Sequence, residues 1–304
     1  MPPEFTRSVD ISIQQLHTFR KVMECGGYAA AAKVSHLSTP AVWQHIQALE
    51  NAYGVQLFER VGRQVKPTAA ATRLHEVVDE ILVRLESAFD VVQESHSEEA
   101  IRIVTGVRMM IEDLAGPFAR FRQRHTNRLE IRHGNNARAE ELLLAGETDI
   151  AMSLESGFQQ ESPLIHYEPA YLVEFFAVTN PDHPFAKAKP ASLRSLVKHE
   201  LIVTVPGTHG RNALDHALHK EGLHANIAVE TDNSAFTFAC VRVGMGVGIV
   251  AGRLNGELCK GLVIRSLRQQ LGQRQIVFRW RKGQLLTEPV LDLIDEVKQL
   301  DNSL

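Results

Sequence analysis

Cysteine is scarce in this chain of 304 residues, which contains only Cys25, Cys240 and Cys259. An odd number at such distant positions fits neither a disulfide framework nor a zinc signature. There is no run of 18 apolar residues, and Met1–Val9 has no apolar signal core, so we expect neither a membrane span nor export. The sequence predicts a protein of the reducing cytoplasm with no membrane partner.

The chain also has no large excess of positive or negative charge. The chain has 33 basic and 36 acidic residues, and residues 1–90 have nine and ten. A protein that binds any nucleic acid through charge alone would be strongly basic, so a nucleoid-type role is not favoured. The hydrophobic content of 44% is ordinary for globular proteins, and this length predicts two or three domains.

Motifs for catalysis and metal binding are missing as well. No Ser/His/Asp or Cys/His pairing has the sequence context of a nucleophile. His216 and His219 share a predicted helix, but no third ligand is indicated. The glycines of segment 244–248 follow a helix and precede a strand, the reverse of a dinucleotide fingerprint. We therefore expect no cofactor, no metal and no enzymatic activity.

Residues 12–68 predict three short helices and a hairpin. Ser12 and Gln15 have the spacing of a capping box, and glycines end the first and third helices. Either Ser38 or Thr39 caps the third helix, with Pro40 in its first turn. This is the layout of a winged helix-turn-helix, whose third helix can enter the major groove of DNA.

The third helix has two faces. Val42, Ile46 and Leu49 fall on the face expected to enter the core, whereas Thr39, Trp43, Gln44 and Gln47 fall on the other. The predicted hairpin adds local positive charge, which suits a minor groove. The residues expected to contact DNA are Ser38, Thr39, Pro40, Trp43, Gln44, Gln47, Arg60, Arg63 and Lys66.

This region resembles the DNA-binding domain of LysR-type transcriptional regulators. The matching residues are Ala31, Ala32, Ser38, Pro40, Ala41, Val42, Ile46, Leu49, Glu50, Gly54, Leu57, Phe58, Arg60, Arg63 and Thr68. The resemblance implies a ligand-responsive regulator that binds promoter half-sites in double-stranded DNA and assembles as a homotetramer, a dimer of dimers.

The chain departs from the family's usual residues at four positions: Ser35, Thr39, Trp43 and Gln44. The third helix therefore lacks a cation and carries an indole. Three roles stay open for Trp43: contact with thymine methyls, stacking on a sugar, or cover over the helix junction. The Gln44 amide has the geometry to pair with adenine, although a solvated role is the alternative.

From Ala69 to about Ser95 the pattern predicts one long helix. Leu74, Val78, Ile81, Leu85, Ala88 and Val92 alternate spacings of four and three, as in a coiled-coil seam. The helix must pack against something. A second copy of the chain is favoured, and burial against the same chain is the alternative.

After a polar hinge, strands and helices alternate from Ile101 onward, which predicts parallel α/β structure. Two such rounds suggest two subdomains joined by crossings near Pro163–Pro169 and Val263–Gln275. We place domains at residues 1–68 (winged helix), 69–95 (linker helix) and 96–304. The last divides into about 101–165 with 270–304, and about 166–269. The predicted fold is thus α/β, with a two-subdomain domain of the periplasmic-binding-protein type that the resemblance implies.

Ligands of open α/β sheets bind at the carboxyl ends of strands, beside helix N-termini. The expected effector-binding residues follow predicted strands: Thr105, Arg108, Asn135, Asn136, Ser153, Thr204, Thr208, His209 and Asp232. Most of these side chains can donate hydrogen bonds, and Arg108 and Arg211 add positive charge. Both properties favour a small anionic effector. Several of these residues, such as Asn135 and Thr208, are equally suited to capping helices.

Two classes of function remain. One is a transcriptional regulator whose DNA binding responds to a small molecule. The other is a solute-binding protein or enzyme with a helical head, which would require an export signal or a catalytic dyad that the sequence does not show.

Overall fold

A computed structural model describes residues 11–61, 64–92, 100–155, 161–187, 191–254 and 256–300. The chain divides into two compact units: Met1–Gln93 with Lys282–Leu285, and Glu94–Arg281 with Leu286–Leu304. Within the described ranges, no helix combines the length and the apolar character that a membrane crossing requires.

The first unit is helical with a small hairpin. Its elements are α1 (Ile13–Cys25), α2 (Tyr28–Val34), α3 (Thr39–Tyr53), the antiparallel strands β1 (Phe58–Val61) and β2 (Gln64–Pro67), and α4 (Ala69–Val92). The Ser12–Gln15 capping box is present. Ser38 rather than Thr39 caps α3. Gly26 and Gly54 adopt φ values of 70° and 67°, a left-handed conformation that ends both helices.

The core of the first unit forms where α1, α2 and α3 meet. Phe19, Val42, Ile46 and Leu49 are fully buried there. Between α1 and α3, the Thr18 hydroxyl lies 2.8 Å from Nδ1 of His45. These contacts fix α3 against α1 and α2 and leave its outer face uncovered.

Helix α4 differs from the predicted seam. Val78, expected in that seam, is 1% exposed and packs with Leu82 into the core of the first unit. A helix turns about 100° per residue, so the neighbouring position faces another way. The exposed apolar stripe of α4 consists of Val77, Ile81, Leu85, Phe89 and Val92.

The second unit alternates strands and helices. Its strands are β3 (Ile101–Thr105), β4 (Leu129–His133), β5 (Ile150–Leu154), β6 (Ile165–Thr179), β7 (Glu200–Thr204), β8 (Asn226–Thr231), β9 (Val247–Gly252), β10 (Val263–Ser266) and β11 (Gln273–Arg281). Its helices are α5 (Val107–Met109), α6 (Ala115–Arg124), α7 (Asn136–Leu144), α8 (Leu193–Leu196), α9 (His209–Lys220), α10 (Ser234–Arg242), α11 (Arg268–Leu271) and α12 (Glu288–Lys298).

These strands form a sheet of order β4-β3-β5-β11-β6-β9-β7-β8, with β10 paired to β6. Strands β3, β4 and β5 are parallel and define a first lobe, and β7, β8 and β9 are parallel and define a second. Between them, β6 and β11 run antiparallel to each other. The α/β architecture with two repeated rounds is therefore as predicted.

The crossing segments are more regular than expected. The first is not a separate connection, because Ile165–Thr179 is one continuous strand that includes Pro169. The register against β11 shifts between Ile276 and Val277, next to this proline. A proline cannot donate a backbone hydrogen bond and is tolerated at such irregularities. The second crossing region contains β10, α11 and the start of β11.

Two helices of the second unit begin with distinct local geometry. Asn233 caps α10 by accepting hydrogen bonds from the amides of Ala235 and Phe236. The segment after β3 is helical from Val107 to Arg124, with a π-helical turn at Met110–Leu114 just before Pro117. Proline removes a helical hydrogen bond and crowds the carbonyl four residues earlier, and a wider turn relieves that crowding.

The packing of α10 against β9 generates a first prediction. A Cβ on Gly248 would lie 2.6 Å from Val241 Cγ2 and 2.9 Å from Thr237 Cγ2. We expect Gly248→Ala to lower the free energy of unfolding by about 1–3 kcal/mol through overpacking. Urea unfolding followed by circular dichroism measures it.

Gly116→Ala is the matched control, because the added Cβ meets only Arg120 Nη1 at 3.7 Å. It should leave stability unchanged or raise it by up to about 1 kcal/mol, since alanine favours helix more than glycine does. Equal effects of the two substitutions would contradict the assigned contact.

Candidate nucleic-acid interface and ligand cavity

The outer face of α3 is exposed. Thr39, Pro40, Trp43 and Gln44 are all exposed there, and the indole of Trp43 is 49% accessible. Of the three roles left open for Trp43, cover over the helix junction is the least compatible with this accessibility. Ser38 is exposed too, but its hydroxyl is committed to capping α3.

Gln47 is placed differently from the other α3 residues. It is half-buried, and its Nε2 donates to the carboxylate of Glu50 one turn later. The same carboxylate accepts the amides of Leu57 and Phe58 at 2.7 and 3.2 Å. Glu50 therefore holds the start of the hairpin, and Gln47 donates one amide hydrogen to Glu50.

Arg60 and Lys66 are exposed on the two strands of the hairpin. They lie on neighbouring cross-strand pairs, Arg60 opposite Val65 and Lys66 opposite Glu59. The third cation expected there, Arg63, lies outside the described residues. Helix α3 itself contains no lysine or arginine, so these cations of the expected interface come from the hairpin.

In the second unit, a cavity of about 160 Å³ lies between the two lobes. The first lobe contributes the ends of β3 and β5 and the start of α7, and the second contributes the ends of β7 and β8 and the start of α9. The crossing strands add Phe175 and Ile276. Carboxyl ends of strands and N-termini of helices therefore converge on one space, as expected for this architecture.

Eight of the nine predicted effector-binding residues line this cavity: Arg108, Asn135, Asn136, Ser153, Thr204, Thr208, His209 and Asp232. Thr105 does not. It is buried at the end of β3, and its hydroxyl donates to Met109 Sδ at 3.4 Å. Its side chain packs behind the wall, so it is not available to a ligand.

Several lining side chains already have structural roles. Asn135 caps α7 and Thr208 caps α9, and the hydroxyls of Thr204 and Thr208 lie 2.7 Å apart. The alternative reading of Asn135 and Thr208 as caps is therefore correct. The first turns of both helices line the cavity, and the first amides of a helix lack intrahelical carbonyl partners.

A polar contact spans the two lobes. His209, at the start of α9, has Nδ1 2.8 Å from the Leu154 carbonyl oxygen, and Asn136 Nδ2 lies 3.2 Å from the same oxygen. The Asn136 amide also contacts the His209 ring. Burial lowers the pKa of His209 below its ordinary 6.5, so the ring is neutral at pH 7.

Arg108 is not a free cation. It is 6% exposed, and its Nη2 lies 3.0 Å from Asp113 Oδ2, which also accepts the Tyr171 hydroxyl at 2.9 Å. Desolvation lowers the pKa of Arg108, but Asp113 and its neighbours outweigh this and raise it above the ordinary value. A glycine at position 252 leaves room for the guanidinium. Arg108 thus belongs to a buried ion pair.

Arg211 is also neutralised by the protein. Its Nε lies 2.9 Å from Asp215, and its Nη1 lies 2.6 Å from Glu230. Desolvation lowers its pKa, but hydrogen bonds to the two carboxylates raise it overall. A carboxylate therefore already offsets the charge of each of the two arginines expected to meet an anion, although Arg108 Nη1 has no hydrogen-bond partner within the described residues.

Ser153, like Arg108 with its Nη1, contributes an unsatisfied polar group to the cavity wall. It is 6% exposed, lines the wall at the end of β5, and has no hydrogen-bond partner within the described part of the chain. A buried hydroxyl without a partner is costly. This group is suited to a ligand that supplies the missing partner.

Sequence reasoning missed the strand residues in the apolar part of the wall. Met152, Phe175, Ile249 and Ile276 line the cavity, yet each belongs to a hydrophobic strand that reads as ordinary core. The only available signal was their position next to strand ends, and no pattern distinguished a lining residue from a packed one.

The buried pair generates a second prediction, which replaces the expectation that Arg108 binds an anion. Arg108→Met leaves Asp113 buried and uncompensated, which should lower the free energy of unfolding by about 3–5 kcal/mol. Urea unfolding measures it.

The double variant Arg108→Met/Asp113→Asn is the control. It removes both charges while keeping an acceptor for Tyr171, so it should recover at least half of the loss. A double variant no more stable than the single one would show that the two side chains are not energetically coupled.

Two family matches cover most of the chain. Residues 13–72 match the family described as bacterial regulatory helix-turn-helix protein, lysR family. Residues 95–301 match the family described as LysR substrate binding domain.

Individual proteins agree with this assignment. The transcriptional regulator CysB of Haemophilus influenzae is 26% identical over 258 residues, 82% of this chain and 79% of that protein. CysB of Burkholderia cenocepacia is 27% identical over 289 residues, 92% of each chain. The crystal structure of HinK, a LysR family regulator from Pseudomonas aeruginosa, has 24% identity and a TM-score of 0.57, covering 96% of this chain and 99% of that one. Since the substrate-domain match alone spans more than half of its length, the chain belongs to the LysR family of transcriptional regulators, which bind DNA and respond to small-molecule effectors.

Proposed function

We propose that this regulator reads DNA through the exposed face of α3 and contacts the backbone through the hairpin. The single observation that supports this most is the exposure of Trp43 and Gln44 on a helix whose opposite face is fully buried. Thr39 and Pro40 complete the reading face, and Ser38 positions it as the cap. Because the proposed partner is chromosomal DNA, the protein should act in the cytoplasm.

Within that face, Gln44 is the proposed base reader. Its amide presents a donor and an acceptor together, which matches the major-groove edge of adenine. Gln47 supports the hairpin through Glu50 instead of reading a base. Arg60 and Lys66, with Arg63, are proposed to approach phosphates or the minor groove, where their contribution falls with salt.

A third prediction tests this division of roles. Gln44→Ala should relax preference at one or two base pairs, at a cost of about 1–3 kcal/mol for the favoured base. Selection of bound sequences from a random duplex pool measures it.

Gln47→Ala is the matched control, since it removes the same amide three residues along α3. It should weaken the Glu50 contact and lower stability while leaving the selected sequence unchanged. A selection profile that shifts for Gln47→Ala but not for Gln44→Ala would reverse the assignment.

We propose the cavity between the lobes as the effector site, with the effector held through an anionic group. Ser153 supports this, because it is a buried donor without a partner. The N-termini of α7 and α9 supply further donors and favour negative charge. Arg108 is proposed to shape the wall rather than to bind the anion. The other proposed contacts are Asn135, Asn136, Thr204, Thr208, His209 and Asp232.

The effector would change DNA binding by favouring one arrangement of the lobes. It can do so only if it binds two arrangements with unequal affinity. The role proposed for this cavity is binding rather than catalysis.

We further propose that the exposed stripe of α4 pairs with a second copy of the chain. Its five apolar side chains recur at spacings of four and three, and such a row is expected at a helix–helix interface. A dimer would present two α3 helices to the two half-sites of an operator, and two dimers would form the tetramer that the family resemblance implies.

A fourth prediction addresses this stripe. Ile81→Glu places a charge in the row and should weaken self-association at least about tenfold, since burial of one isoleucine contributes roughly 1.5–3 kcal/mol. Sedimentation velocity over a concentration series measures it.

Thr72→Glu introduces the same charge nine positions earlier, on the opposite face of α4, and should leave association unchanged. If Ile81→Glu and the parent chain sediment identically at all concentrations, the stripe is not the interface.

A further inference from the structure

The charges around the cavity are not balanced. Arg108 is neutralised by Asp113 at 3.0 Å. Arg211 faces two carboxylates, Asp215 and Glu230, at 2.9 and 2.6 Å. Carboxylates therefore offset the charges of both arginines, although Arg108 Nη1 keeps a hydrogen-bond donor without a partner within the described residues. The Arg211 cluster has one negative charge in excess.

Asp232 adds to this excess. It lines the cavity at the β8–α10 junction and is exposed at its rim. Within the described ranges its carboxylate accepts a hydrogen bond from Asn233 Nδ2 at 2.7 Å, and no basic side chain forms an ion pair with it. At the rim of the second lobe, Asp232 thus presents to a ligand a carboxylate that no basic side chain of the described residues offsets.

The wall of the first lobe has the opposite preference. Ser153 offers a buried hydroxyl without a partner. Asn135 and Asn136, at the start of α7, line the same space, and the N-terminus of a helix carries the positive end of its dipole. Asn135 satisfies only the amide of Arg138. Ser153 and the start of α7 therefore favour an anionic group, whereas Asp232 favours a cationic group.

The size of the cavity limits the ligand further. Its volume is about 160 Å³, close to that of a protein cavity of roughly 150 Å³ that holds benzene. Six to ten non-hydrogen atoms, by this rough comparison, would fill it. Met152, Phe175 and Ile249 line it between the two polar walls, so the middle of the ligand should be small and apolar.

We propose that the effector is a zwitterion, an amine-bearing carboxylate of amino-acid type, with its carboxylate toward Ser153 and α7 and its ammonium against Asp232. This rests on the proposed function, because it assumes that the cavity is the effector site. A dianion of similar size is disfavoured, since its second negative group would meet Asp232 without a cation to offset it.

The test uses the full chain and a matched panel of small molecules. The panel contains the standard L-amino acids, the same carboxylates with hydrogen in place of the amine, the same amines without the carboxylate, and succinate as a dianion. Binding is measured by thermal shift and then by isothermal titration calorimetry.

At least one amino acid should bind about tenfold or more tighter than its deaminated partner, since a hydrogen bond to a charged group contributes that much. Asp232→Asn should reduce the difference to about twofold or less. Ser153→Ala should weaken the amino acid and its deaminated partner alike, because it acts on the end they share.

Asp182→Asn is the matched control, an exposed aspartate of the same unit that does not line the cavity. It should bind the panel as the parent chain does. The melting temperature of each variant without ligand shows whether its fold is intact. Because Asp232 is exposed, the asparagine side chain in Asp232→Asn should not disturb the fold.

The inference is overturned if deaminated carboxylates or succinate bind as tightly as amino acids, or if Asp232→Asn leaves the preference unchanged. If carboxylates bind but no amino acid does, the zwitterion proposal is wrong, and the proposed anion-binding cavity is still supported. If neither class binds at up to about 10 mM while DNA binding is intact, the proposed effector site fails as well.

Discussion

The second unit depends on two antiparallel strands that cross between its lobes. Strands β6 and β11 pair with each other along most of their length, and each also pairs with a strand of one lobe, β9 and β5 respectively. Since the three strands of each lobe are parallel, the crossing pair decides where their carboxyl ends meet. It also supplies Phe175 and Ile276 to the wall. Without this pair there would be two small α/β layers and no shared cavity.

Much of the local structure could be predicted because its causes lie within a few residues. The caps at Ser12, Asn135 and Thr208 depend on spacings of three residues. The strands of both lobes were recognisable as short apolar runs beside turn residues. The same reasoning found eight cavity residues, because strand ends of parallel sheets gather at one edge.

The rest depends on contacts between distant parts of the chain. Nothing in the sequence shows that Val78 packs inward while Val77 faces outward, since that depends on how α4 rests on its unit. The inclusion of Pro169 within the continuous strand β6 depends on the register between β6 and β11. Arg108 and Arg211 were recognisable as cations near strand ends, but the carboxylates that neutralise them are brought together only by folding. A prediction of ligand charge from residue type alone was therefore incomplete, and the neutralised arginines change which ligand the cavity favours.

The chain has only two tryptophans, and their surroundings differ sharply. Trp43 is half accessible on α3, whereas Trp280 is buried and lies 4.3 Å from the ring of His166. Water relaxes around an exposed indole and shifts its emission to longer wavelength than that of a buried one. The red edge of the intrinsic fluorescence therefore reports on the first unit, and the blue edge on the second. The unmodified protein thus contains a separate optical reporter in each of its two units.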